Sequence, residues 1–283
     1  MKFSVIVPAY NEEKRIGQTL RSIRDFARRQ GLDCELIAVD DGSTDRTAEV
    51  IRQEFAEMQG LTAEDAPGKP GVSGAVPARR AGGGEAKRSS PLTCRLLLNG
   101  RNRGKGFSVR RGMLEACGDF VLFSDADLST PIEELDKLKA AVDEGYDVAI
   151  GSRALAESRV EIHQNFMREM MGRIFNRIAR LLTFRGIRDS QCGFKGFRRN
   201  AAYDLFGSSR IDGFSFDAEI LFLAQKRGYK VKEIPVIWRN SPASKVAIFT
   251  DPVKMFWELF LIRMIHSGRY SGLARGIWSS TRL

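Results

Sequence analysis

Histidine is nearly absent from this chain of 283 residues: only His163 and His266 occur, and neither sits in a motif. The four cysteines, Cys34, Cys94, Cys117 and Cys192, are scattered without a CxxC spacing. That pattern argues against a zinc site and a disulfide framework, and for a reducing compartment. No stretch reaches the roughly 18 consecutive apolar residues that span a bilayer. The apolar run at the start, within MKFSVIVPAYNEE, is too short for a secretory signal and turns polar at once. Glycine motifs of the familiar nucleotide binders are missing as well. No GxGxxG follows the first apolar run, and GRNRGKG at 100–106 lacks the Walker A spacing. A dinucleotide fold of the usual kind and a P-loop are both disfavoured.

What is present is an ordinary soluble composition, 43% hydrophobic and 28% charged, with a net charge of +10. The positive bias favours anionic partners. Nucleic acid is the weakest of these, because no basic strand studded with aromatics and no recognition helix can be found. The expected location is cytoplasmic, with attachment to a membrane surface left open.

The first half alternates short apolar runs with helical periodicity, which implies βαβ units and a mainly parallel α/β sheet flanked by helices. Strands are expected at 3–7, 34–39, 94–98, 119–124 and 147–151, and helices at 11–30, from about 46, at 105–117 and from Pro131. Ser43, Thr44 or Asp45 is placed to cap the second helix. Residues 60–90 are rich in Gly, Ala and Pro with no aromatic, and read as a flexible surface insertion. The second half offers a basic, apolar helix at about 163–184, the loop GIRDSQCG, a strand and short helix in FKGFRRNAAYDLF, a helix at 216–227 and a strand at 230–236. The run DPVKMFWELFLIRMIHSGRY is a C-terminal helix, apolar over most of its circumference and basic at its end. Residues 1–248 are taken as the catalytic domain, and 249–283 as an apolar, basic helix and tail. That helix suits the membrane interface, a buried core or a dimer contact.

Three polar stretches fall at the carboxyl ends of expected strands: PAYNE, DDGSTD and DAD. That edge is where open α/β sheets bind ligands. Asp125 and Asp127, one residue apart after a buried run, suit a hard divalent ion whose shell a diphosphate completes. Two solvated turn aspartates are the plain alternative. Asp40 and Asp41 read equally as turn residues, and Asp45 as a helix cap.

FSVIVPAYNEEKRI, IAVDDGSTDRT, NRGKG, VLFSDADLSTP, AIGSR, DSQCGFKGF and EIPVIWRNSPASK, taken in order, resemble the family-2 glycosyltransferases of the GT-A fold. More narrowly they resemble the polyprenyl-phosphate sugar synthases, and RDSQCGFK leans to the glucosyl branch. The resemblance implies transfer of glucose from UDP-glucose to a polyprenyl phosphate such as dolichyl phosphate, with inversion. GDP-mannose as donor, or a polysaccharide acceptor, are the alternatives. It further implies that Pro8, Tyr10 and Glu12 line the base and ribose pocket, with Asp40 bonding the base or ribose. Asp125 and Asp127 would hold Mg²⁺ or Mn²⁺, and Ser129 stands where some relatives have a third ligand. Matching arginines hold the lipid phosphate, here Arg153 and Arg168, the latter also readable as a surface cation. Asp189 and Gln191 would orient acceptor or sugar, or serve the loop. Arg239 and Lys245 would reach the diphosphate from a loop that is otherwise merely basic. An ionised phosphate acceptor needs no strong general base. Cys192 reads as packed, since no activating base lies nearby.

Overall fold

The computed structural model describes residues 1–60, 92–162, 166–239 and 250–267. Nearly all of the expected insertion, Lys245 and His163 lie outside the described residues. In chain order the elements are β1 (Phe3–Ala9), α1 (Ile16–Arg29), β2 (Cys34–Asp40), α2 (Thr47–Gln59), β3 (Leu92–Leu98), α3 (Lys105–Glu115) and β4 (Phe120–Ser124). A turn of 3₁₀ helix then leads into α4 (Leu135–Asp143), β5 (Val148–Ser152), β6 (Arg159–Ile162), α5 (Phe166–Leu182) and β7 (Phe194–Arg198). α6 (Arg199–Ser208), α7 (Phe216–Lys226), β8 (Val231–Pro235), β9 (Ile237–Arg239) and α8 (Thr250–His266) complete the order.

Seven strands form one sheet in the order β3-β2-β1-β4-β7-β5-β8. All neighbours are parallel except β7, which runs antiparallel to both β4 and β5. β1 and β2 are buried along their whole length, as parallel strands covered on both faces must be, and this is why they read as mainly apolar runs, with buried Ser4 donating to buried Glu35 at 2.7 Å. Side chains alternate between two cores. Val5 and Val7 pack with Leu20, Phe26, Phe55 and Leu138 on one side. Ile6, Val121 and Phe123 face Val109, Phe197, Phe206 and Leu221 on the other. α8 closes this second core, with Leu259 and Ile262 fully buried, while Trp257 and Phe260 stay about half exposed. Apolar residues therefore occupy both faces of that helix. No described helix is long and apolar enough to cross a membrane.

Two sequence expectations shift. The helix expected from residue 11 begins only at Ile16, because the intervening residues are held by the next connection. Asn11 has a positive φ of 53°, its N–H donates to Ser43 Oγ at 2.9 Å, and the Glu12 N–H donates to Thr47 Oγ1 at 2.6 Å. The strand expected over 230–236 divides. Pro235, without an N–H to give, ends the ladder with β5, and β9 pairs instead with β6 in a separate two-stranded sheet.

Candidate functional site

Parallel β1, β2, β4 and β5 end on one edge. Antiparallel β7 begins on that edge, so the segment that precedes it, 189–193, enters among the strand ends. On the β1–β2 side, Pro8 is buried within β1 and Tyr10 follows it, partly exposed. The neighbouring aspartates have different partners. Asp41 accepts from Asn99 Nδ2 at 2.7 Å and from the N–H groups of Arg103 and Gly104 at 3.0 and 2.8 Å, so it shapes the glycine-rich loop before α3. Asp40 is as deeply buried, yet its Oδ1 has no hydrogen-bond partner among the described residues, and Oδ2 receives only the Ser43 N–H at 3.3 Å. A buried carboxylate oxygen left unpaired costs about 1–3 kcal/mol, and Asp40 ends β2 at the edge where ligands bind. Glu12 is not open: its carboxylate forks onto Arg15. The N-cap of α2 is Arg46, one residue beyond the expected Ser43, Thr44 or Asp45, and no described side chain caps it; Asp45 Oδ1 instead accepts the N–H of Thr47, the first helical residue, at 3.0 Å.

At the end of β4 the aspartate pair sits on a tight turn. The Asp125 N–H donates to Gly193 O at 3.0 Å, its carbonyl accepts the Leu128 N–H at 3.2 Å, and Leu128 has φ 45°. Asp127 Oδ1 accepts the Ser129 N–H at 3.0 Å. Lys105, the first residue of α3, places Nζ 2.6 Å from Asp125 Oδ1. Burial disfavours that ammonium, but Asp125 and Asp217 outweigh it and raise its pKa. Gly193 lies against the Asp125 carboxylate so closely that any Cβ there would overlap its oxygens. Two partly exposed carboxylates are a donor set for a hard divalent ion, and an ion that takes Asp125 Oδ1 must displace Lys105 from it. Among the described residues no group of three or more acidic, histidine or cysteine ligands occurs, so such an ion needs further oxygens from its ligand.

At the end of β5, Arg153 grips Asp189 through two parallel bonds, Nε to Oδ2 at 2.7 Å and Nη2 to Oδ1 at 2.8 Å. The backbone N–H groups of Arg153 and Gln191 also donate to Asp189, at 2.9 and 3.1 Å. Burial alone would raise this carboxyl, but Arg153 and those bonds bring it down to about 2. The fork leaves the Arg153 Nη1 edge for a second anion. Trp238 of β9 lies 5.3 Å from the guanidinium carbon. Arg168 belongs to α5, and its side chain lies outside the description. Arg239 reaches the site with its backbone, donating to Ser129 O at 2.7 Å. Its guanidinium instead pairs with Glu161 at 2.6 Å on an exposed surface. Cys192 is buried, and that burial pushes its thiol up to about 11, as packing rather than nucleophilic use requires.

Sequence reasoning missed Lys105 and a second pair, Lys195 and Asp217. Lys195, the second residue of β7, is fully buried and places Nζ 2.5 Å from Asp217 Oδ1 at the start of α7. The signal was available in FKGFR: a lysine between core phenylalanines needs a buried partner.

A mainly parallel sheet with acidic and basic clusters at the ends of its strands is an α/β fold that binds its ligand at that edge. Residues 4–76 and 85–206 match the family described as glycosyl transferase family 2. Among curated proteins, the chain is 34% identical to the dolichyl-phosphate beta-glucosyltransferase of Drosophila melanogaster, covering 93% of this chain and 74% of that one. It is 32% identical to that of Saccharomyces cerevisiae, with the same coverage. Among solved structures, glucosyl-3-phosphoglycerate synthase from Mycobacterium tuberculosis in complex with Mn²⁺, UDP and phosphoglyceric acid aligns with a TM-score of 0.59. It is 17% identical and covers 93% of this chain and 77% of that one, a likeness of fold alone. The chain belongs to glycosyl transferase family 2.

Proposed function

We propose that this protein transfers glucose from UDP-glucose to the phosphate of a polyprenol, giving a β-linked lipid-phosphate sugar. One observation carries the reading. Segment 189–193 bonds to Asp125 through Gly193 O and to Arg153 through Asp189, so a cation seat and an arginine fork stand side by side on one segment. A diphosphate donor and a phosphate acceptor need that pairing, and the dolichyl-phosphate beta-glucosyltransferases are similar across nearly the whole chain.

Asp125 and Asp127 would hold Mg²⁺ or Mn²⁺, which supplies Lewis-acid stabilisation of the charge that grows on a departing nucleoside diphosphate. Pro8 and Tyr10 flank the nucleoside, and the unpaired Oδ1 of Asp40 accepts a hydrogen bond from its base or ribose. Arg153 orients the acceptor phosphate, joined by Arg168 from α5. Asp189 holds the guanidinium in place. The phosphate is already ionised, so its oxygen attacks the anomeric carbon without a general base, and one in-line displacement inverts configuration. Arg239 and Lys245 belong to the loop that covers the diphosphate and shields it from water.

The protein works at the cytoplasmic surface of a membrane. α5 and α8 are neighbours, Phe175 against Phe256, and they expose Ile174, Leu181, Trp257 and Phe260 beside Arg177, Arg180 and Arg263. Apolar residues among cations suit an anionic lipid surface. Residues 1–248 then carry the chemistry and 249–283 add surface contact. The test is transfer of labelled hexose from UDP-glucose and from GDP-mannose to a short polyprenyl phosphate with Mg²⁺ or Mn²⁺. Lipid-linked glucose that disappears in Asp127→Ala and in Arg153→Ala is the expected result. Label from GDP-mannose alone overturns the donor, and no lipid product from either overturns the acceptor.

A further inference from the structure

We infer that Lys195 is a positioning residue for the transfer reaction, acting through segment 189–193 on the cation seat and the acceptor arginine together. This rests on the function proposed above. Lys195 is fully buried among Phe194, Phe197 and Phe123, with its ammonium 5.2 Å from the centre of the Phe123 ring. Nζ donates to Cys192 O at 2.6 Å and to Asp217 Oδ1 at 2.5 Å. A lysine–carboxylate pair in such a place is a poor way to gain stability, because its desolvation offsets most of its attraction and apolar residues of similar volume serve as well or better. What the pair adds is direction.

Each bond of the ammonium fixes something the site needs. Holding Cys192 O fixes the 192–193 peptide that leads into Gly193, whose own O accepts the Asp125 N–H and whose backbone braces the Asp125 carboxylate. Next along the same segment, the Gln191 N–H bonds to the Asp189 carboxylate that grips Arg153. Holding Asp217 ties the segment to the start of α7, whose phenylalanine Phe216 packs on Phe123 at 5.6 Å. Asp217 also lies in the field of both Lys105 and Asp125. Lys195 touches neither donor nor acceptor, and the β1–β2 nucleoside side lies two strands away.

Lys195→Met and the doubly neutral Lys195→Met/Asp217→Asn are compared with the full-length parent. Mn²⁺ affinity is measured by electron paramagnetic resonance with UDP present, alongside kcat, KM for polyprenyl phosphate, UDP affinity and Tm. In both variants the expected outcome is Mn²⁺ affinity about tenfold weaker, kcat about 10–100-fold lower, as for removal of an outer-shell partner, and a raised acceptor KM. UDP affinity without metal stays within about threefold of the parent, since β1 and β2 hold the nucleoside. The double variant separates positioning from charge burial, because it restores Tm by leaving no unpaired charge, and it decides the matter should the single variant not fold. If it keeps Mn²⁺ affinity, kcat and acceptor KM within twofold of the parent, Lys195 only fills the core and the inference falls, with the proposed reaction intact. A parent that binds Mn²⁺ but makes no lipid-linked glucose overturns the reaction, while the Mn²⁺ titration still judges Lys195. A parent that binds no Mn²⁺ overturns this inference too.

Discussion

Asp189→Asn tests the arginine fork most directly. The substitution keeps the shape of the side chain but removes its charge, and it turns an amide NH₂ towards a guanidinium that has only hydrogens to offer. The magnitude follows from two lines. A carboxyl held at about 2 against an ordinary 3.8 contributes about 2 kcal/mol of stability at neutral pH. Breaking a wholly buried pair costs about 3–5 kcal/mol, but the Arg153 side chain is 26% exposed, so water takes up part of that loss. A fall of about 2–3 kcal/mol is expected from urea unfolding at pH 7. The pH dependence has a definite sign. A depressed carboxyl adds stability that is fully present above its unfolded pKa, near 4, and that is lost as pH falls towards 2. The gap between parent and variant should therefore stay constant from pH 7 to about 5 and narrow as the pH falls below about 4. KM for the polyprenyl phosphate should rise about tenfold or more, because an untethered guanidinium must be ordered on binding. A gap below about 0.5 kcal/mol at pH 7, or one that does not shrink between pH 4 and pH 3, would refute the argument that Asp189 is charged and clamped.

Three further outcomes are expected. Gly193→Ala puts a methyl where the Asp125 carboxylate stands; Mn²⁺ affinity should fall about tenfold or more as the carboxylate is displaced, and an unchanged affinity in calorimetry would contradict the close packing. In the native protein a thiol reagent should modify Cys117 quickly, since it is exposed, and leave Cys34, Cys94 and Cys192, whose buried thiols are pushed up to about 12, about 12 and about 11. More than one fast thiol per folded chain would mean that one of the two cores opens readily. Trp257→Ala/Phe260→Ala should weaken sedimentation with anionic vesicles by about tenfold or more, from the loss of two half-exposed aromatic side chains, while Tm changes little; equal binding by parent and variant would remove α8 from the membrane surface.

The sheet was legible because covered parallel strands are mainly apolar, so the runs ending at Ala9, Asp40 and Ser124 stand out from the amphipathic stretches between them. The aspartate pair was legible for the same reason, as charge where a buried run stops. Direction was not. A strand such as FKGFR reads alike whether it lies parallel or antiparallel, yet the antiparallel course of β7 is what brings 189–193 to the ligand edge. Nor could composition divide neighbours such as Asp40 and Asp41. One has a bare oxygen and the other three donors, and the donors come from residues about sixty positions later in the chain.

The same limit explains why Lys195 escaped notice while Arg153 did not. Arg153 follows a buried strand at its carboxyl end, where chemistry is expected, whereas Lys195 lies inside one, where a lysine looks like an error of pattern. In the folded chain the anomaly has a cause. Antiparallel β7 must enter the site edge through a turn, and of its residues 189–193 only Cys192 has an apolar side chain to anchor in the core. Backbone bonds and one buried ammonium do that work instead: Gly193 O is taken by Asp125 N–H and Cys192 O by Lys195, while Asp189 is closed by Arg153. A break in hydrophobic pattern within a core strand therefore marks the position from which the polar segment next to it is controlled.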